Sequence, residues 1–243
     1  MTETTAAAPE LVPSPGLFAR FIGIITSPRA TFEAVVRKPN TIAILAVVAL
    51  LIGASQSAMN LTEKGRQASI DFQVSQMEKM GFTVTDQIYQ QLEARQKYAV
   101  YTSFLGTFIR FPIGLLLISG ILYAVFNAIM GGTAEFKQVT AVVAHSMVIS
   151  TIGAIFGFVI NFTRGSITAS HANLGMLLPM LPERSFAANL AGAIDLFTIW
   201  WLITLATGFA VLYKRKTSNI AIGFFSVYAV IIVCISYFFS SKG

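Results

Sequence analysis

Residues 219–239 read NIAIGFFSVYAVIIVCISYFF, an apolar run without one Asp, Glu, Lys or Arg. About 20 consecutive apolar residues cross the hydrocarbon core of a bilayer as a helix, so this segment already points to lipid. Four more such runs lie upstream, at 41–59, 111–130, 138–162 and 190–213. Among these four only 190–213 carries a charge, Asp195 near its start. In lipid the backbone must satisfy its own polar groups, and long unbroken runs do so as helices, not as alternating barrel strands. The reading is an all-α, polytopic integral membrane protein with five transmembrane helices.

Composition points the same way. Of 243 residues 55% are hydrophobic and 12% charged, where a water-soluble domain carries about 25% charged. Something other than water must cover the surface. The formal charge of +6 is spread along the chain and suits a positive-inside bias better than a nucleic-acid partner. Cys234 stands alone inside the last run, which excludes an internal disulfide and a cysteine-based metal site. No cleavable signal peptide is expected, because 40 polar and amphipathic residues precede the first run.

The segments between the runs differ in kind. Residues 1–14, rich in Thr, Ala and Pro, read as a disordered tail, and 15–243 as one membrane domain. Apolar residues from Leu17 to Ile25, then Phe32, Val35 and Val36, alternate with Arg20, Arg29, Arg37 and Lys38. This is the pattern of an amphipathic segment in the membrane interface or packed on the bundle. Residues 60–108 hold ten charges up to Lys97 and many Gln, with helical stripes broken at Gly81. They read as an external helical hairpin, its second arm capped at Thr83-x-x-Asp86 and running toward a kink at Pro112. A second external loop, 163–189, has few charges and many Leu and Met. The compact triplet Lys214-Arg215-Lys216, with Arg29, Arg37, Lys38 and Lys137, places the N-terminus in the cytoplasm and the C-terminus outside.

Motifs for catalysis are missing: there is no HExxH, GxSxG, Walker or dinucleotide fingerprint. His145 and His171 have no Cys or carboxylate companions in sequence, so neither a metal nor a cofactor is expected. The triplets Asn60-Leu61-Thr62 and Asn161-Phe162-Thr163 sit at span ends and read as helix termini rather than glycan acceptors. Polar residues inside the runs are costly in lipid. Arg110 and Asp195 enter their spans from the outer face, where they would either form a partly buried pair or reach separately to the headgroups. His145 and Asn127 read as hydrogen-bonded packing groups, or as parts of a polar pathway. Gly153-x-x-x-Gly157, and Gly53 between Ala49 and Ser57, mark close helix contacts.

Three stretches together resemble the Yip family of Ypt/Rab-interacting membrane proteins, in its bacterial branch. RFIGIITSPRATF (20–32) is similar to the family's pre-membrane segment, and GGTAEFKQVTAVVAHS (131–146) to its Gly-rich turn and following helix. IDLFTIWWLITLATGFA (194–210) resembles its fourth span, with Phe197 and Trp200 at the aromatic positions. The resemblance extends over roughly 17–239. It implies five spans, a cytoplasmic N-terminus, no enzymatic activity and partners among other membrane proteins. An ABC-type exporter or a second copy of the chain are the candidates. The acidic, aromatic motif of the Rab-binding members is missing, so a Rab-type GTPase is not expected.

The functional expectation is a non-catalytic protein of a bacterial inner membrane that assembles with or modulates other envelope proteins. A transporter or lipid-handling permease, working through Arg110, Asp195, His145 and Asn127, is the alternative.

Overall fold

The apolar runs are helices, and their ends are set by local capping chemistry. A computed structural model describes residues 15–167, 172–182 and 184–240; the expected tail 1–14 and His171 lie outside the described residues. The order is α1 (Leu17–Thr26), α2 (Pro28–Arg37), α3 (Thr41–Met59), α4 (Glu63–Lys79), α5 (Asp86–Gln96), α6 (Ala99–Tyr123), α7 (Phe136–Ser146), α8 (Val148–Arg164), α9 (Phe186–Ala193), α10 (Leu196–Leu212) and α11 (Thr217–Phe238). A π-helical turn, Ala124–Ile129, extends α6, and a 3₁₀ turn, Leu174–Leu177, precedes α9. Asn40, Thr62 and Thr85 cap α3, α4 and α5 by accepting the amides of Ala43, Gly65 and Ile88. The cap of α5 is thus Thr85 and not Thr83. Thr85 stands directly before the first helical residue, as a side-chain oxygen must to reach the N3 amide. Gly165, at φ +67°, ends α8 in the left-handed conformation that favours glycine.

Among the described residues four helices are long and apolar enough to cross a membrane: Thr41–Met59, Ala99–Ile129, Phe136–Arg164 and Thr217–Phe238. The expected single run 190–213 is instead divided. Asp195 accepts the Thr198 amide at 2.9 Å and so restarts the chain as α10, an apolar helix of 17 residues. Asp favours the N-cap because its carboxylate competes for backbone N–H groups. Leu174 N and Leu196 N donate to Ile194 O and Ala172 O across the break, stitching the segment before α9 to it.

At the centre stands α7, where every residue from Val139 to Ser146 is buried. It is surrounded by α1, α2, α3, α6 and α10. The outer surfaces are apolar as well: Tyr101, Leu105, Ile109, Ile113, Leu117 and Ile121 are exposed along α6. That four-residue spacing is a ridge that winds around the helix, so much of the circumference of α6 is apolar and exposed.

The N-terminal segment turns part of its apolar surface inward, chiefly from α2. Ile24, Phe32 and Val35 are fully buried, and α2 packs on α10 and α7. Protein covers the part of that face that α2 presents, while Leu17, Phe18 and Ile22 of α1 stay exposed. Arg20 is 5% exposed, donating from Nε to Pro15 O at 3.0 Å and from Nη1 to Lys38 O at 3.2 Å. One guanidinium thereby ties the start of α1 to the end of α2, and burial lowers its pKa. The sequence pattern does not reveal this role of Arg20, because its partners are carbonyls that no spacing marks.

A candidate polar cavity at one end of the bundle

α6 and α8 both pack on α3, and the space between them is a cavity of about 980 Å³. It lies at the end of the bundle that carries α4 and α5. The walls are Gln56 and Asn60 of α3, Gly106 and Arg110 of α6, Gly153, Phe156 and Gly157 of α8, and Thr198 and Trp201 of α10. Arg95 and Gln96 of α5 stand over it.

Asn60 organises this end. It is buried and donates from Nδ2 to Gln56 O and Ser103 Oγ, both at 3.3 Å. Its Oδ1 accepts Ser69 Oγ at 2.9 Å, and its carbonyl accepts Arg66 Nη1 at 3.3 Å. One side chain therefore joins α3, α4 and α6. Thr62, two residues on, is the cap of α4, so the 60–62 triplet works as a helix end. At the floor, Trp201 Nε1 donates to Ser146 Oγ at 3.0 Å, and Ser146 passes a bond on to Val143 O at 2.7 Å.

Arg110 and Asp195 both line this cavity, but the direct pair does not form. Arg110 Nη2 donates to Gln56 Oε1 at 3.1 Å, and Asp195 Oδ1 accepts Thr198 N and Thr198 Oγ1. The ion pairs among the described residues are Arg29–Glu33 and Lys137–Glu135, both exposed. The physical reason is local: an N-cap carboxylate is already held by its own helix.

The other sequence candidates lie elsewhere. His145 is fully enclosed in α7, its Nδ1 2.7 Å from Ala141 O and its Nε2 without a protein partner. Asn127 is at the opposite end, donating to Ala134 O and accepting Tyr213 OH at 2.8 Å. These four residues do not form one track. Gly53 faces Phe104 of α6, where an added Cβ would stand 3.3 Å from the ring, and Gly153 faces Phe197 at 2.9 Å. Gly157 lines the cavity. Gln56, Asn60 and Trp201 were missed; the readable signal was Gln56, an amide three residues before the end of an apolar run.

The description "Yip1 domain" fits the chain over residues 22–238. No curated protein and no solved structure matches it. The matched stretch takes in every helix from α2 to α11, with the cavity between them, and on that ground the chain belongs to the Yip1-domain family of membrane proteins.

Proposed function

We propose that this chain is a non-catalytic, multi-pass inner-membrane protein that assembles with or modulates a second integral membrane protein. The observation that supports this is the α4–α5 hairpin. It stands outside the apolar bundle, and its tip exposes Met80 and Phe82, 56% and 59% accessible. Apolar side chains at the tip of a water-facing arm cost solvation unless something covers them. Replacing both by Ser should leave the bundle folded but remove chains that co-purify in nanodiscs, as read by mass spectrometry. An unchanged set of co-purifying chains would remove the hairpin from the assembly role.

The arm projects outward if the chain crosses five times, with α10 as the short crossing. At about 1.5 Å per residue its 17 residues span about 26 Å, slightly less than a typical core. The basic residues Arg37, Lys38, Lys137 and Lys214–Lys216 belong to one end, beside Val36, Gln138 and Tyr213. That end is drawn together by Gln138 Nε2 donating to Val36 O and by the Tyr213–Asn127 bond. Positive residues favour the cytoplasm. In a Cys234→Ala background, a cysteine at Gln90 should react with an impermeant reagent from outside, and one at Ser218 only after the membrane is opened. The opposite pattern would invert the orientation.

A second reading, lipid handling, is favoured by the cavity. A space of this size exceeds what helix packing requires and lies in the range of ligand sites.

A further inference from the structure

The cavity has two chemically different parts. Arg95 and Arg110 supply positive charge at the hairpin end, and Phe156 and Phe158 supply an apolar wall on α8. Arg110 is exposed, and its partner is the neutral amide oxygen of Gln56. A guanidinium fork binds phosphate through two parallel charge-assisted bonds, each stronger than a bond to an amide. Asp195 is held at the N-cap of α10, and the two arginines outnumber this one carboxylate of the lining, so the site keeps a net positive charge.

We infer that the cavity is a phospholipid site, with the phosphate diester against Arg110 and an acyl chain along the Phe156–Phe158 wall. This rests on the lipid-handling reading and narrows it to a headgroup chemistry. A free phosphate ion would use the two arginines but not the apolar wall. A phosphate-free lipid would use the wall but leave the two guanidinium groups without an anion to bind. Only a molecule with both parts matches both.

Gly106 offers a clean way to close the space. It lines the cavity, and a Cβ added there meets nothing within 4 Å. A Phe at this position would fill the cavity without pushing on α3, and it replaces a residue that disfavours helix interiors.

The test uses the full chain released from nanodiscs into native mass spectrometry. Separate arms contain phosphatidylglycerol, phosphatidylethanolamine, a phosphate-free diacyl glycolipid, or inorganic phosphate alone. The native chain should retain one phospholipid, and Gly106→Phe and Arg110→Met should each weaken retention at least tenfold. Lys137→Met, at the end of α7 remote from Ser146 and the cavity floor, should not. Independently of any cavity variant, Trp201 in a Trp200→Phe background should be quenched by a dibrominated phospholipid, and unbrominated phospholipid should reverse the quenching. Equal retention of the glycolipid, displacement by inorganic phosphate, or full retention in both variants would overturn the site. Retention without any lipid movement between leaflets of vesicles would keep the site and remove the permease reading. Lipid movement that survives both variants would remove the site and keep the reading.

Discussion

Phe32→Ala should destabilise the protein by about 3–5 kcal/mol, the range for removing a large aromatic side chain from a packed core. Phe32 has no accessible surface. It reaches from α2 toward α10, with Cε1 and Cζ 2.9 and 3.0 Å from where a Cβ on Gly208 would stand. Val142 of α7 borders the same point, so the ring fills the junction of three helices. The cavity left by Ala cannot collapse easily, because α7 is held on its other faces by α3 and α6. Surfactant titration of the chain in bicelles gives the stability, and hydrogen exchange at 28–37 should rise in the same variant. A loss no larger than the roughly 1.5 kcal/mol of a volume-conserving swap would mean that α2 only rests on the bundle.

How much of this was legible depends on which interactions carry the information. Lipid exposure is written in runs of apolar residues, so α3, α6, α7–α8 and α11 follow directly from the sequence. The charged segment does break at Gly81, at φ +88°, but its expected bounds 60–108 differ from the structure: α5 ends at Gln96, and residues 99–108 already belong to α6, which continues through Pro112. The break before α10 was not read, although its signal was present. Asp195 was treated as a charge seeking a countercharge, when a carboxylate beside a free helix start already has a partner in its own backbone. The inward seat of α2 was harder still. An amphipathic helix has the same periodicity whether lipid or protein covers its apolar face, and only the complementary gap at Gly208 separates the two. The cavity was least legible of all. It arises because α6 and α8 both pack on α3 and leave space between them, and packing partners of lipid-exposed helices leave little trace in hydropathy. Arg110 was identified, yet the arrangement that gives it a neutral partner beside an apolar wall was not.

Gly208→Leu should be the second most damaging change, and its sign depends on Phe32. An added Cβ at Gly208 would stand 2.5 Å from Val142 Cγ1 and 2.9 Å from Phe32 Cε1, closer than real side-chain carbons approach. Neither neighbour can retreat freely, since both are fully buried. Overpacking of this kind costs typically about 1–3 kcal/mol, and Leu carries three carbons beyond the Cβ. Gly208→Ala should be milder, because removing glycine from a helix interior returns about 0.5–1 kcal/mol against the clash. Combining Gly208→Leu with Phe32→Ala places a new side chain where the ring was lost. Residues in direct contact couple by about 0.5–3 kcal/mol, and here the coupling should be favourable, so that the double variant is more stable than the summed losses imply. If the two losses add instead, Gly208 and Phe32 do not share one space, and the seat of α2 on α10 must lie elsewhere along the helix.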